Sequence, residues 1–382
     1  MAVNILGSLA MLLLFIIAFN FGAYTLLLKV IARFRKVDHS IDPDYQPSVT
    51  ILIAAYNEEA CLEEKLKNSL TLAYPKNLLD IVVVSDGSTD NTDQIARQFE
   101  SQNIKLVVNP TNSGKATALN NGMQSISSDI VVLSDANVMY QEDAIRNLVR
   151  HFSDSNIGAV SGKVVLVNDG LSYSASEDAY YSVEHNIQQL ESNTGNLIGA
   201  DGAMYAIRRE LFRPLQKDTL LDDFVLSMGV IQQGKRLIFD GDALGFEQNL
   251  AEIESEYKRK VRIIAGGIQS LQRKTSWPPK GHGLTAIKFL CHKVFRWIIG
   301  PLVVTFIALV LLLGLISGNY LLVTFAIAAI LAYPIVQIAT RLFPSLLQYK
   351  LVNLFRYLVT MMTASVVGCY KALVSNQQVS WR

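Results

Sequence analysis

The sequence predicts an α/β domain held between membrane-spanning helices, and three observations predict it. Apolar residues pile up at the two ends of the 382-residue chain, whereas the middle has ordinary globular composition. Through that middle, short β-branched runs alternate with stretches of helical periodicity, the pattern of a parallel sheet with right-handed crossovers. Acidic residues directly follow two of those runs, where such a sheet presents its carboxyl ends to a ligand.

The run Ile5 to Val30 is broken only by Asn20, small residues and, next to its end, Lys29, and about 20 apolar residues cross a bilayer as a helix. Its length and the lack of a small-residue cleavage site argue against a removable signal peptide. Lys29 at its end and Arg33, Arg35 and Lys36 after it are basic, so the positive-inside rule places residues 31 to about 295 in the cytoplasm. Lys288, Lys293 and Arg296 before the next apolar run agree. Further spans are expected at roughly 298–317 and 319–340, joined by the uncharged turn Ser317 to Tyr320. A last candidate, 354–374, keeps only about 14 uninterrupted apolar residues between Arg356 and Lys371, which suits a tilted span or an in-plane helix. The expected organisation is an N-terminal membrane helix at 1–36 and a cytoplasmic domain at 37–280. An interfacial helix with two to three spans follows at 281–382.

The formal net charge of +1 gives no reason to expect a nucleic-acid partner. Cys61, Cys291 and Cys369 are odd in number and lack metal-ligand spacing, as expected of structural thiols in a reducing compartment.

Within the domain, Val49 to Ala55 reads as the first strand, and Tyr56, Asn57, Glu58 and Glu59 end it. Leu62, Leu66 and Leu70 follow at helical spacing. Ile81 to Val84, Lys105 to Val108 and Ile130 to Leu133 are the next strands, separated by helices such as Asp90 to Phe99 and Ala116 to Ser125. Residues 47–150 therefore form a nucleotide-binding type of half, and 151–275 an acceptor half expected to consist of shorter strands and helices.

Five stations carry candidate chemistry. Asp86 ends a strand before Gly87 and a helix start, where it suits either a base or ribose contact or an ordinary capped turn. Asp135 and Asn137, at i and i+2 after a strand, suit a hard cation such as Mg2+ or Mn2+ that takes oxygen ligands; a strand-ending turn explains them equally. Lys115 follows Gly114 at a helix start, near where phosphate is favoured, although the spacing is not a P-loop. Asp222 and Asp223 open a helix, where they favour the dipole or supply a base whose pKa burial raises. The basic run Lys258 to Arg262 suits anionic headgroups or, through Arg259 or Arg262, a diphosphate.

In this order and spacing these stations resemble the membrane-bound family 2 glycosyltransferases, which include cellulose, hyaluronan, chitin and poly-N-acetylglucosamine synthases. The resemblance runs from about Pro47 to Gln272 through AAYNEE, VVVSDGSTDNT, NSGKATALNNG, VVLSDAN, GADGAMYAIRR, LLDDFVLS and RKVR. It implies a GT-A (Rossmann-like) fold and inverting transfer from a nucleotide sugar, a UDP-sugar by preference, with Mg2+ or Mn2+. By resemblance, Ala55, Tyr56, Glu58, Asp86, Lys115, Asp135, Arg259 and Arg262 bind the nucleotide sugar. Asp135 and Asn137 hold the metal, and Gly199, Asp201 and Gly202 form the acceptor-side loop. Asp223 is the general base, beside Asp222.

Two departures set the expected outcome. The family's Asp-x-Asp is Asp135-Ala136-Asn137, which weakens the metal site without abolishing it. The family's Gln-x-x-Arg-Trp becomes Arg259 to Ile263, so Arg262 remains while Ile263 replaces the tryptophan on which an acceptor sugar stacks. These favour addition of one or a few sugars to a lipid or glycan acceptor beside membrane lipids. A processive synthase, with an accessory export partner, and a non-catalytic nucleotide-sugar-binding scaffold are the alternatives. A nucleotidyltransferase on the same fold would leave Asp223 without a purpose.

Overall fold

The computed structural model describes residues 2–167, 174–248 and 253–374. The N-terminal apolar run is helical throughout, as α1 (Ala2–Ala18), a π-helical segment (Phe19–Ala23) and α2 (Tyr24–Phe34). The amide of Asn20, in the π segment, donates to the Ile16 carbonyl at 3.0 Å, giving that polar side chain a partner inside its own helix.

Strands and helices then alternate as expected: β1 (Val49–Ala55), α3 (Leu62–Leu70), β2 (Leu79–Asp86), α4 (Thr92–Arg97), β3 (Ile104–Asn109), α5 (Lys115–Met123) and β4 (Ile130–Asp135). β1 pairs in parallel with β2 and β4, and β2 with β3. Every residue of β1 is buried, because helices cover both faces of a parallel sheet. The shared direction brings the carboxyl ends of β1, β2 and β4 to one edge, where Ala54 lies opposite Asp135.

The second half comprises β5 (Val138–Tyr140), α6 (Ala144–Val149), β6 (Ile157–Val167), α7 (Ser174–Asn193), β7 (Met204–Arg208), α8 (Asp222–Gln232), β8 (Arg236–Gln248) and α9 (Ile253–Arg273). The eight strands form one mixed sheet in the order β3-β2-β1-β4-β7-β6-β8-β5. It stops being parallel at β7, which runs antiparallel to β4. The expected short elements are corrected here: β6 and β8 span 11 and 13 residues, α7 and α9 20 and 21. The β6–β8 pairing shifts register between Ile157 and Ala159 and again between Ser161 and Lys163. Such bulges bend a long strand and break its alternation, so the sequence pattern looks fragmented.

After α10 (Gly283–Lys288), a π-helical segment (Phe289–Val294) and α11 (Phe295–Trp297) come α12 (Ile299–Ser317), α13 (Tyr320–Leu342) and α14 (Lys350–Val374). Among the described residues, Ile299–Ser317, Tyr320–Leu342 and Leu351–Val374 are long and apolar enough to cross a bilayer. The last runs on through Arg356 and Lys371, longer than the apolar stretch between them. The Asn319 side chain caps α13 by accepting from the Leu321 and Leu322 amides at 3.1 and 3.4 Å.

α14 packs against both the domain and α12. A Cβ on Gly368 would lie 2.8 Å from Ile264 of α9, and one on Gly300 only 2.2 Å from the Met362 carbonyl oxygen. The Ser365 hydroxyl accepts from the Gly300 amide at 3.0 Å and donates to the Trp297 carbonyl at 2.5 Å, closing the break between α11 and α12. The close neighbour of Gly300 is backbone, which cannot swing aside. Gly300→Ala is therefore expected to destabilise the protein by about 1–3 kcal/mol, despite alanine's better helix propensity. Thermal unfolding in detergent checks this, and an unchanged midpoint contradicts the packing.

Candidate active site

A cavity of about 830 Å3 opens where the carboxyl edge of the sheet meets α8, α9 and α14. Its polar wall gathers Tyr56, Glu58, Lys115, Asp135, Asn137, Asp201, Gly202, Asp222, Asp223, Arg259 and Arg262, drawn from both halves of the domain. Most residues expected from the sequence to act together thus face one space.

Lys115 stands at its centre. Its ammonium lies 2.6 Å from Asp135 Oδ1 and 3.7 Å from Asp222 Oδ2. Burial alone would lower its pKa, but Asp135 and Asp222 outweigh burial and raise it, so it stays charged. Its position is set from behind by Asp86. One oxygen of that fully buried carboxylate accepts from Asn109 Nδ2 at 2.7 Å. The other takes the Ser113 and Gly114 amides at 3.0 and 2.7 Å. Gly87, at φ +69°, makes room for this loop, since a Cβ there would lie 2.5 Å from the Asn112 nitrogen.

Asp223 differs in environment from its neighbour. Burial and then the Asp222 charge push its carboxyl up to about 7, opposed by Lys115. One oxygen accepts from the Phe224 amide at 2.6 Å. The other is crowded by the Gly199–Gly202 loop: a Cβ on Gly202 would lie 2.6 Å from Asp223 Oδ2. In the same loop the Asp201 amide donates to Ser161 Oγ at 3.0 Å, and burial raises the Asp201 carboxyl.

A further carboxylate joins from β8. Glu247 Oε1 accepts from the Asn137 amide at 3.0 Å, and burial and then Asp135 raise its pKa. No three His, Cys, Asp or Glu side chains among the described residues could hold a metal by themselves. Asp135 and the Asn137 oxygen fit a hard cation that takes its remaining ligands from a bound phosphate, the usual habit of Mg2+. Arg259, which lines the same space, is steadied by Glu256 at 2.7 Å and by Tyr181 Oη at 3.0 Å.

Three expected contacts are placed elsewhere. Ala55 packs into the hydrophobic core, and Ala54, on the other face of β1, lines the cavity instead. Asp86 is outside the lining, occupied with the Ser113–Gly114 loop. Gly199 also lies outside it, at φ +81°, where a Cβ would meet Phe224 Cδ2 at 2.5 Å. Conversely, sequence reasoning missed Glu247, Tyr181, Glu184 and Trp297, all in the lining. Only Trp297 carried a signal, as an aromatic residue at the start of an apolar run.

The parallel half-sheet, the antiparallel turn-over at β7 and a carboxylate-rich cavity between the halves define a GT-A-like glycosyltransferase fold. Residues 50–215 match the family described as Glycosyl transferase family 2. The chain is 29% identical over 234 residues to a probable glycosyltransferase, YdaM, of Bacillus subtilis, covering 58% of this chain and 55% of that protein. It is 27% identical over 239 residues to the poly-beta-1,6-N-acetyl-D-glucosamine synthase of Staphylococcus aureus, covering 61% and 58%. The chain thus spans little more than half the length of these relatives. Among solved structures, a mannosyltransferase from Pyrobaculum calidifontis, in complex with GDP-Man and Mn2+, superposes with a TM-score of 0.73. The match is 24% identical and covers 97% of this chain and 99% of that one. Residues 50–215 thus match a family 2 glycosyltransferase domain, on a fold shared with glycosyltransferases.

The Gly202 geometry gives a specific expectation. Gly202→Ala forces Asp223 Oδ2 aside, so turnover should fall by roughly 100-fold, the scale of a 1 Å misplacement. Donor affinity, measured by equilibrium binding of the nucleotide sugar, should stay within about twofold, since the nearest atoms to the added Cβ all belong to Asp223. Normal turnover in this variant contradicts the assigned contact.

Proposed function

We propose that the protein is an inverting glycosyltransferase that moves one or a few sugars from a nucleotide sugar to a lipid or glycan acceptor at the cytoplasmic face of a membrane. The observation that carries it is the pairing of Asp135 and Asp223 across one cavity, with the Lys115 ammonium between their two halves. UDP-sugars are the donors the sequence resemblance favours, and the neighbour holding GDP-Man makes GDP-sugars the second class to test.

In this reading the donor diphosphate lies along Lys115, Arg259 and Arg262, with Tyr56 and Glu58 on the β1 side. Asp135 and Asn137 would hold Mg2+ or Mn2+, which when bound neutralises charge on the leaving diphosphate. Asp223 accepts the proton of the acceptor hydroxyl as its oxygen bonds to the anomeric carbon. The bond from that carbon to the phosphate oxygen breaks, and the nucleoside diphosphate departs with the electron pair. A single displacement inverts the anomeric centre. Asp222 keeps Lys115 in place and, by its charge, makes Asp223 a stronger base.

A processive synthase is the second reading, favoured by the Staphylococcus aureus relative's name. Product length separates the two: a ladder beyond a few sugars supports polymerisation. The Asn at 137 and the Ile at 263 also suit a non-catalytic binder, which would bind nucleotide and never release it as product.

Nucleotide release by membranes containing the protein, screened over UDP- and GDP-sugars, tests the proposal. Asp223→Asn should lose about 100- to 10,000-fold in turnover while retaining donor binding. For the wild type, kcat/KM should fall about tenfold per pH unit below a midpoint near 7 and level off above it, because a protonated Asp223 cannot take the proton. Full activity in Asp223→Asn, or a flat profile from pH 5 to 8, removes Asp223 as the base.

A further inference from the structure

The cavity that contains Asp135 and Asp223 does not close behind them on a polar wall. Tyr357, Leu358, Met361 and Met362 of α14 line the same space. Their spacing, i, i+1, i+4 and i+5, places them on one side of the helix. That helix is among those long and apolar enough to cross a bilayer. On another side the cavity reaches Asn20, within the first apolar helix. The catalytic space is thus walled by apolar helices from both ends of the chain.

We infer that the acceptor is a membrane lipid, its hydroxyl-bearing head at Asp223 and its hydrocarbon chain along the Tyr357–Met362 face of α14. This deepens the transferase reading and rests on it. Methionine and leucine side chains adapt to flexible alkyl chains, and two adjacent methionines supply that adaptability here. A glycan would instead be served by an indole platform of the kind the resemblance places at position 263. Ile263 does not provide one, and Trp297 is already engaged. Only 5% of Trp297 is exposed, it meets Phe224 edge-on with ring centroids 5.2 Å apart, and its ring packs on Gly267. A Cβ at Gly267 would lie 2.5 Å from the indole carbons. With its surface taken up in this way, the indole leaves no open platform for a sugar ring, whereas the α14 wall suits a hydrocarbon chain.

The test uses full-length protein in membranes of its native host, incubated with UDP- and GDP-sugars carrying a radiolabelled sugar. The label is partitioned between chloroform–methanol, water and ethanol-insoluble material. The expected result is label in chloroform–methanol, reduced at least tenfold in Leu358→Trp and in Met362→Trp, which fill the apolar wall. Leu354→Trp, exposed on α14 outside the cavity, should match the wild type. Nucleotide-sugar binding by the purified variants, unchanged from wild type, establishes that they are folded, and the wild-type partition decides the matter independently of any variant. Label confined to water or insoluble glycan overturns the lipid acceptor and leaves the transferase reading standing. Absence of both label transfer and nucleotide release with every donor overturns that reading as well.

Discussion

One ammonium group joins the two halves of the domain. Lys115, at the start of α5, reaches Asp135 at the end of β4 and Asp222 at the start of α8. The three side chains are 26%, 30% and 13% exposed, so solvent screens the pairs and their worth as stability is modest. Their importance is in charge balance. Glu58, Asp135, Glu184, Asp201, Asp222, Asp223 and Glu247 share a cavity with Lys115, Arg259, Lys260, Arg262, Lys293 and Arg296, so acids and bases are nearly matched. Within that balance Asp201, Asp223 and Glu247 are all raised, chiefly by burial and secondarily by neighbouring acids. Burial of clustered acids lets one carboxyl work as a base near neutrality.

The scaffold keeps that arrangement fixed from two sides. The fully buried β1 anchors the edge from which Asp135 emerges, and Asp86 spends its carboxylate on the loop that aims Lys115. On the membrane side, Glu191 is completely buried and gathers three elements. It accepts from the Tyr24 hydroxyl of α2 and from the Ile198 amide, just ahead of the Gly199–Gly202 loop, at 3.1 Å, and lies 2.9 Å from His292 Nδ1. The other ring nitrogen of His292 lies 2.8 Å from Glu184. The imidazole thus bridges the two carboxyl groups of Glu191 and Glu184. The first apolar helix is therefore tied, through one buried network, to the loop that carries Asp201 and Gly202.

Much of the first half was legible because a parallel strand buried on both faces is an unbroken apolar run, and each such run here ends in a polar residue with a possible job. The ambiguity lay in direction, not position. Ala54 and Ala55 differ by one residue, and the alternation of a strand sends one to the cavity and the other to the core. Asp86 sits at the strand end where a base contact was expected, but its side chain meets a loop 23 to 28 residues further on, a contact no local pattern encodes. The second half was less legible because its long strands carry register shifts. Its helices, moreover, are covered partly by sheet and partly by membrane-type helices, which blurs their apolar faces. Glu247 was invisible for the same reason: its partner Asn137 is 110 residues away in the chain.

That pair answers the most serious objection the sequence raises, the loss of the second aspartate from Asp-x-Asp. The turn after Asp135 is held firmly. The Lys65 ammonium donates to the Val138 carbonyl at 2.5 Å, and Asn68 brackets Tyr140 through bonds of 2.8 and 2.9 Å. Asn137 is thereby presented to Glu247, and the amide gives its hydrogens to that carboxylate. Its carbonyl oxygen is then the group left for a ligand, and a second carboxyl, that of Glu247, stands beside it. A cation held there as proposed would exchange ligands more easily, because a neutral oxygen binds it less tightly than a carboxylate. Under the proposed function, what looks in the sequence like a damaged metal site would be, in three dimensions, a redistributed one.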